Sequence, residues 1–181
     1  MGISPDAEER ARRVELILMD VDGVLADGRI ILLPDAQGGI QEVKVFDVQD
    51  GVGISFAHRA GLRTGLLTGR SSLSVAWRAK ELGIGIVEQG SHNKLESYTK
   101  IREAAKVEDF AVAYIGDDFQ DLPILRRAGL AIAPANAQEE IKQACHIVTE
   151  QPGGRGAVRE AIDFILKAQG KWDQVMTRYR A

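Results

Sequence analysis

Two aspartates separated by one residue are the first feature of this chain that suggests chemistry. Asp20 and Asp22 directly follow an apolar segment, residues 15–19, that is typical of a buried strand. Two carboxylates this close at a strand end repel each other unless a cation or a shared proton lies between them. They suit a metal-assisted nucleophile, Asp20, beside an acid/base residue, Asp22. Taken alone, the pair is more typical of an Asx-type turn.

Two further segments have the composition of an anion site. Thr68, Gly69 and Arg70 follow a second apolar strand and precede a predicted helix, whose N-terminal amides favour an anion. Lys94 lies in the first turn of another predicted helix, where the helix dipole favours acidic residues instead. A bound phosphate would explain a lysine at that position.

A third segment is acidic. Asp117, Asp118 and Asp121 place three carboxylates within five residues after a third apolar strand. This concentration of charge is costly unless a lysine or a divalent cation balances it. Mg²⁺ binds few carboxylates, keeps several waters and accepts phosphate oxygens as ligands. An acidic helix N-terminus would explain two of the three residues, so the segment favours a Mg²⁺ site.

The elements that must position these residues alternate along the chain. Apolar runs predict strands at residues 15–19, 63–67, 85–87, 111–115, 130–133 and 146–149. Amphipathic segments predict helices at residues 53–60, 72–82, 94–105, 120–128, 138–144 and 156–168. This alternation is typical of an α/β fold with a doubly wound, Rossmann-like parallel sheet. Ligands of such sheets bind at the carboxyl ends of the strands, where the polar segments above lie.

One segment interrupts the alternation. Residues 29–33 and 41–46 predict two strands joined by Pro-Asp-Ala-Gln-Gly-Gly, which is a hairpin sequence. A hairpin alone is marginally stable in water, so we expect it to pack on something, most simply another subunit. The whole chain, residues 1–181, is predicted to form a single domain, with the hairpin at about 29–46 and a C-terminal tail at about 151–181.

Composition restricts the class of protein. The 181 residues are 45% hydrophobic and 27% charged, as expected of a globular protein, and the net charge of −3 argues against nucleic acid as a partner. No apolar run approaches the roughly 20 residues that would span a bilayer. The single cysteine, Cys145, excludes an internal disulfide framework and favours a cytoplasmic setting.

The ordered set of motifs resembles the haloacid dehalogenase superfamily of phosphohydrolases over nearly the whole chain. The set is Asp-x-Asp, Thr-Gly-Arg, Lys and Gly-Asp-Asp-x-x-Asp, each after its own strand. A receiver-type phosphoacceptor domain combines similar residues, but its acidic pair lies on the first strand and its phosphoacceptor on the third. In this chain Asp-x-Asp follows the first predicted strand and the remaining acidic residues come after the lysine, an order that fits the hydrolase. The chain has no room for an inserted cap domain. It therefore resembles the capless branch, whose members form homotetramers in which neighbouring subunits close each site.

Within that branch the sequence is similar to the family of 3-deoxy-D-manno-octulosonate 8-phosphate phosphatases, which act in lipopolysaccharide sugar synthesis. The matching segments are residues 20–28, 50–54, 89–90, 93–94, 116–118 and 153–160. The last of these, Gly-Gly-Arg-Gly-Ala-Val-Arg-Glu, is typical of the family and not of the superfamily. The resemblance implies a phosphoric monoester hydrolase that requires Mg²⁺ and forms an aspartyl-phosphate.

The resemblance also implies roles for the acidic pair and the metal. Asp20 attacks phosphorus, and Asp22 protonates the leaving sugar oxygen and later activates water. Mg²⁺ is held by the Asp20 carboxylate, the Asp22 backbone carbonyl and Asp117, and it neutralises charge on the transferring group.

Four more residues have implied roles around this centre. Thr68 and Lys94 hold the phosphoryl oxygens. Asp121 orients Lys94 or a water on the metal, and Asp118 belongs to the surrounding shell of hydrogen bonds. None of these roles follows from spacing alone.

The family pattern implies a set of sugar-binding residues. These are Asp47, Gln49, Asp50, Gly51, Ser55, Gly69, Arg70 and Arg78. Gln49 and Ser55 stand where the family has arginine, and this loss of two cations weakens the case for an acidic sugar. A nine-carbon 2-keto sugar acid 9-phosphate is therefore an alternative substrate. A phosphoacceptor module that binds a partner is the alternative from another class.

Overall fold

The computed structural model describes residues 2–180, and the first and last residues of the predicted domain lie outside this range. Its strands are β1 (Gly2–Ile3), β2 (Leu16–Met19), β3 (Ile31–Pro34), β4 (Ile40–Val43), β5 (Arg63–Leu67), β6 (Ile86–Glu88), β7 (Val112–Ile115), β8 (Leu130–Ala133) and β9 (Ile147–Val148). Seven of them form one sheet in the order β1-β9-β8-β7-β2-β5-β6, and β3 and β4 pair separately. β1 runs antiparallel to β9, and the other neighbours in the sheet are parallel.

Helices cover both faces of the sheet. They are α1 (Ala7–Arg12), α2 (Val48–Arg59), α3 (Leu73–Leu82), α4 (Lys94–Ala105), α5 (Leu122–Leu125), α6 (Glu139–Gln143), α7 (Ala157–Ala168) and α8 (Trp172–Met176), with 3₁₀ turns at Asp109–Ala111 and Thr177–Tyr179. The architecture confirms the predicted doubly wound α/β fold with an inserted hairpin. No helix of residues 2–180 combines the length and apolar character that a membrane crossing requires.

Alternation along the central strand divides the core between the two faces. Ile17 and Met19 of β2 pack in the cluster that includes residues of α1, α2, α3 and α7, whereas Leu16 and Leu18 pack in the cluster that includes residues of α4, α5 and α6. All four side chains are fully buried. A strand buried on both faces is a near-continuous apolar run, and this is why the sequence predicts it well.

Two predicted helices have different bounds in the structure. α2 begins at Val48 and not at residue 53, because Asp47 caps it by accepting a hydrogen bond from the Gln49 amide at 2.6 Å. Gly51 and Gly53 lower the helix propensity of the first six residues of α2, and only tertiary packing compensates for this loss of propensity. α5 is limited to Leu122–Leu125 and not residues 120–128, because tight turns precede and follow it.

Three elements were not predicted. They are β1 and α1 at the start of the chain and α8 near its end. Each has six residues or fewer, too short for a clear periodic pattern. The remaining elements lie within two residues of their predicted bounds, except that the hairpin's second strand ends at Val43, three residues earlier than predicted.

The loop of the Gly-Gly-Arg-Gly segment packs directly on the loop that follows β2. The Gly154 amide donates to the Val24 carbonyl at 2.8 Å. Asn136 joins the same two loops, because its side chain donates to the Gly23 carbonyl at 2.9 Å and accepts from the Gly153 amide at 2.6 Å. The segment therefore supports the backbone between Asp22 and the hairpin.

Gly153→Ala is expected to destabilise the protein by more than about 2 kcal/mol. A Cβ at this position would lie 1.8 Å from the Gly23 carbonyl oxygen, so one of the two loops must move. Chemical denaturation would measure the loss. Gly85→Ala is the control, because no described atom lies within 4 Å of a Cβ placed there. Equal stability of the Gly153 variant and wild type would contradict the role given to this contact.

Candidate functional site

The carboxyl edge of the sheet forms a polar cavity of about 710 Å³. Asp20, Thr68 and Asp117 line it, and each follows closely on β2, β5 or β7. The other lining residues are Asp22, Gly69, Arg70, Ser91, His92, Asn93, Lys94, Leu95, Asp118, Gln120 and Pro123. The structure thus brings together at one edge the four motifs that are far apart in the sequence, as their places after parallel strands predict.

Lys94 lies at the base of this cavity between two buried carboxylates. Its Nζ atom donates to Asp20 Oδ2 at 2.7 Å and to Asp121 Oδ1 at 2.8 Å. Burial alone would lower the pKa of Lys94, but the two carboxylates outweigh this effect and hold it above the ordinary value. The ammonium is therefore charged and aimed at the strand ends, where it can stabilise an anionic group.

Asp121 is fully buried and uses both oxygens for hydrogen bonds within the chain. Oδ1 accepts from Lys94 and from the Tyr114 hydroxyl at 2.6 Å. Oδ2 accepts from the backbone amides of Asp117 at 3.2 Å and Asp118 at 3.4 Å. These bonds account for the acidic cluster without making Asp121 a metal ligand, and they agree with the expectation that it orients Lys94.

Asp20 and Asp117 have the arrangement of a cation site. Carboxylate oxygens of Asp20, Asp117 and Asp121 lie within 4.8 Å of one another. Burial, and then the Asp121 carboxylate, raise the pKa of Asp20 to about 6. Burial and the carboxylates of Asp20 and Asp121 raise the pKa of Asp117 to about 7. A divalent cation relieves this repulsion, so the residues fit the predicted Mg²⁺.

Mg²⁺ affinity is expected to increase as the pH is raised from about 5.5 to about 8. The raised pKa values mean that Asp20 and Asp117 bind protons near neutral pH, and a metal ligand must release its proton. Calorimetry in buffers of different ionisation enthalpy should detect about one proton released near pH 6.5 and fewer at pH 8. The result that would refute this is an affinity independent of pH in this range.

Asp22, two residues after Asp20, lies close to two cations. Its Oδ1 contacts the ammonium of Lys44, and its Oδ2 lies 3.7 Å from Nε of Arg70. The sequence did not indicate Lys44, because the hairpin strand that it follows has the composition of an ordinary solvent-exposed strand. The signal that could have found it is the alternation of Glu42 and Lys44 with valines, which places both charges on one face of an extended segment.

Thr68 and Asp118 both line the cavity but differ in their hydrogen bonds. Thr68 is 2% exposed, and its backbone is fixed by bonds to Glu88 and Ser91, so its hydroxyl is held at the strand end. Asp118 accepts a hydrogen bond from the Phe119 amide at 2.7 Å. It lines the cavity but is not among the three carboxylates, of Asp20, Asp117 and Asp121, that lie within 4.8 Å of one another.

The predicted sugar-binding residues are not brought together within one subunit. Gly69 and Arg70 line the cavity, whereas Asp47, Gln49, Asp50, Gly51, Ser55 and Arg78 lie elsewhere, on α2, its cap and α3. Gln49 instead lines a second cavity, of about 640 Å³, together with residues of α7. That all eight residues bind the substrate stays a prediction; within one chain, only Gly69 and Arg70 of the set line the cavity.

Asp50, one of these eight residues, has a clear role within the fold. Its carboxylate is fully buried and accepts hydrogen bonds from the amides of Arg159 at 2.8 Å and Gly156 at 3.2 Å, at the start of α7. Burial raises its pKa to about 6. Asp50 thus caps α7, and this explains on structural grounds why an aspartate accompanies the Gly-Gly-Arg-Gly segment.

Arg78 and Gly51 are similarly used within the fold. Arg78 donates to the Asp47 carbonyl at 3.2 Å and to Glu81 at 2.7 Å. A Cβ at Gly51 would lie 2.7 Å from the Arg78 guanidinium, so the glycine provides room for that contact. Both residues fix the start of α2 against α3.

Comparison with known proteins agrees with this geometry. A family model described as haloacid dehalogenase-like hydrolase matches residues 71–162. The 3-deoxy-D-manno-octulosonate 8-phosphate phosphatase KdsC of Salmonella typhimurium is 38% identical over 172 residues, which cover 95% of this chain and 89% of that protein. The match therefore includes all four motifs.

Two solved structures are similar over their whole length. The phosphatase of the same name from Moraxella catarrhalis, in complex with a magnesium ion, a phosphate ion and a KDO molecule, is 39% identical with a TM-score of 0.90, over 96% of this chain and 98% of that chain. The cobalt-bound deoxy-D-mannose-octulosonate 8-phosphate phosphatase of Haemophilus influenzae is 37% identical with a TM-score of 0.83, over 90% and 93% of the two chains. The chain therefore belongs to the haloacid dehalogenase-like hydrolases and, within them, to the family of 3-deoxy-D-manno-octulosonate 8-phosphate phosphatases.

Proposed function

We propose that this chain is a Mg²⁺-dependent phosphatase that hydrolyses 3-deoxy-D-manno-octulosonate 8-phosphate to the free sugar acid and phosphate. The observation that supports this most is the placement of Lys94 between Asp20 and Asp121, with Asp117 on the same cavity wall. This arrangement combines a nucleophile, a charged phosphate ligand and a cation site. The names of the relatives support the choice of sugar.

The reaction proceeds in two displacements at phosphorus. The Asp20 carboxylate attacks phosphorus, the bond from phosphorus to the sugar oxygen breaks, and Asp22 donates its proton to that oxygen. Water then attacks the aspartyl-phosphate while Asp22 takes up a proton from it, and the bond between phosphorus and Asp20 breaks to release phosphate. Lys94 and Thr68 hold the phosphoryl oxygens in both steps.

The metal is held by the carboxylates of Asp20 and Asp117 together with the Asp22 backbone carbonyl. When bound, Mg²⁺ supplies neutralising charge on the transferring group. Asp121 and Tyr114 keep Lys94 directed at the same group through their hydrogen bonds.

Arg70 is the cation that supports an acidic sugar. Its guanidinium is about half exposed at the wall of the cavity, with 48% of the side chain accessible. It is therefore within reach of a carboxylate on the substrate. Because Gln49 and Ser55 remove two further cations from the family pattern, the nine-carbon 2-keto sugar acid 9-phosphate is the second candidate substrate.

We also propose that the protein is a cytoplasmic homotetramer of lipopolysaccharide sugar synthesis, in which neighbouring subunits close each site. The hairpin leaves Ile30, Leu32, Leu33 and Ile40 exposed, and Ile40 has 64% of its surface accessible. An exposed apolar two-stranded hairpin favours burial against another subunit. Light scattering tests this proposal: a tetramer supports it, and a monomeric wild type contradicts it.

A substrate panel tests the proposed activity. Phosphate release is measured for the eight-carbon and nine-carbon 2-keto sugar acid phosphates and for simple sugar phosphates, with Mg²⁺ and with a chelator. We expect Mg²⁺-dependent turnover with the highest kcat/KM for the eight-carbon substrate. A higher value for the nine-carbon substrate supports the second candidate.

Two results would overturn the phosphatase proposal itself. One is the absence of turnover of any phosphate ester. The other is a stable phosphoprotein after treatment with acetyl phosphate, without catalytic release, and this result would favour the phosphoacceptor module.

A further inference from the structure

Four charged side chains form a closed ring at the mouth of the cavity. Lys44 Nζ contacts Asp22 Oδ1 and lies 2.7 Å from Glu42 Oε1. Arg70 donates from Nη2 to Glu42 Oε2 at 2.9 Å, and its Nε lies 3.7 Å from Asp22 Oδ2. Each carboxylate therefore faces both cations. This ring, of Asp22, Glu42, Lys44 and Arg70, joins the loop after β2, the hairpin and the loop after β5.

Lys44 is the least accessible member of the ring. Only 2% of its side chain is exposed, compared with 48% for Arg70. Burial alone would lower the pKa of Lys44, but hydrogen bonds to Asp22 and Glu42 outweigh it and hold the pKa above the ordinary value. A desolvated, charged ammonium has a strong preference for one position between its carboxylates.

The backbone holds Lys44 next to the Asp22 loop. Phe46, two residues after Lys44, forms an antiparallel bridge with Ala26, and Ala26 forms a bridge with Asp22. The position of Lys44 is thus set by the pairing of the hairpin with the loop that follows the nucleophile, and not by its own side chain alone.

We propose that Lys44 is a positioning residue for Asp22, which it holds in the orientation that delivers a proton to the leaving oxygen. This inference rests on the proposed function. Because Lys44 donates to Oδ1, the other oxygen, Oδ2, is the one that bears the transferable proton. Oδ2 donates this proton as the bond from phosphorus to the leaving oxygen breaks, and later recovers one from the attacking water. Lys44 keeps its own proton throughout.

The hairpin thereby becomes part of the catalytic apparatus. Glu42 lies on β4 and Lys44 directly follows that strand, so a displacement of the hairpin moves both residues relative to Asp22. Packing of the hairpin against another subunit would then also stabilise the orientation of the acid/base residue.

The test compares leaving groups in Lys44→Met, which keeps the length of the side chain and removes its charge. A poor leaving group needs the proton from Asp22, whereas p-nitrophenolate does not. We expect the ratio of kcat/KM for phenyl phosphate to kcat/KM for p-nitrophenyl phosphate to fall about tenfold or more, because kcat/KM reports the step in which the leaving group departs. Lys44→Arg should restore most of the ratio, because it restores a donor and a positive charge.

The same substitution in a second variant protein distinguishes a positioning role of Lys44 from a general structural role. In an Asp22→Asn protein, Lys44→Met should leave the ratio unchanged, because the residue that it positions no longer transfers a proton. An equal loss of kcat/KM on both aryl phosphates in the single variant, which leaves the ratio unchanged, would overturn the proposal. Turnover of p-nitrophenyl phosphate by Lys44→Met also reports that the variant is folded.

Because the leaving-group comparison uses aryl phosphates, its outcome does not depend on which sugar phosphate is the natural substrate. If wild type hydrolyses aryl phosphates but not the eight-carbon sugar phosphate, the proposed substrate fails and the leaving-group comparison still decides the role of Lys44. If wild type hydrolyses no phosphate ester, the proposed function and the role of Lys44 both fail.

Discussion

Asp20→Asn is expected to reduce kcat by about 10⁴-fold or more, because the amide cannot attack phosphorus to form the aspartyl-phosphate. The fold should be retained. Burial raises the pKa of Asp20 to about 6, and this shows that the ionised carboxylate is disfavoured at its position. A neutral amide removes that cost, and Lys94 keeps its bond to Asp121 at 2.8 Å. Steady-state phosphate release and thermal unfolding measure the two effects.

Asp173→Asn provides the matched control. It makes the same chemical change on α8, where 80% of the Asp173 side chain is exposed and the residue does not line the cavity. Its activity should equal that of wild type. If the Asp20 variant retained a tenth of wild-type activity while folded, Asp20 could not be the nucleophile.

Lys94→Met is expected to reduce both activity and stability. Removing the ammonium leaves the buried carboxylates of Asp20 and Asp121 without their shared cation, and breaking such a pair costs about 3–5 kcal/mol. Catalysis also loses the charge that holds the phosphoryl oxygens. Denaturant unfolding measures the first effect, and phosphate release from the folded variant measures the second.

Lys100→Met is the control on the same helix. Lys100 pairs with Glu96 at 2.6 Å, but 73% of its side chain is exposed, so solvent screens the pair and it contributes little to stability. Its stability and activity should stay close to wild type. Equal destabilisation by the two substitutions would mean that burial of the Lys94 pair has no special importance.

The predicted fold class is confirmed, and particular strands show why. β2, β5 and β7 are largely buried runs followed by polar motifs, and β8 is a buried apolar run. Sequence periodicity identifies all four within a residue of their bounds. The predicted start of α2 is five residues too late. Its first six residues include two glycines, and they depend on the Asp47 cap and on contacts of Asp50 with α7.

The candidate site also divides into residues that sequence predicts and residues that depend on tertiary packing. Asp20, Thr68, Lys94 and Asp117 could be placed together from sequence, because residues after parallel strands meet at one edge of the sheet. Their catalytic roles stay predictions until the variants are measured. The sugar-binding set could not be assembled in this way, because helical residues project according to packing angles that sequence spacing does not determine.

The amino-acid sequence by itself determined the fold class and the four motifs, because the alternation of strands with helices and the local residue order are properties of short segments. The tertiary structure alone decided which charges meet. It placed Lys44 against Asp22 across 22 residues of chain and Asp50 against Arg159 across 109. Contacts between groups so far apart depend on how the hairpin and helices pack, and that packing is a property of the whole fold.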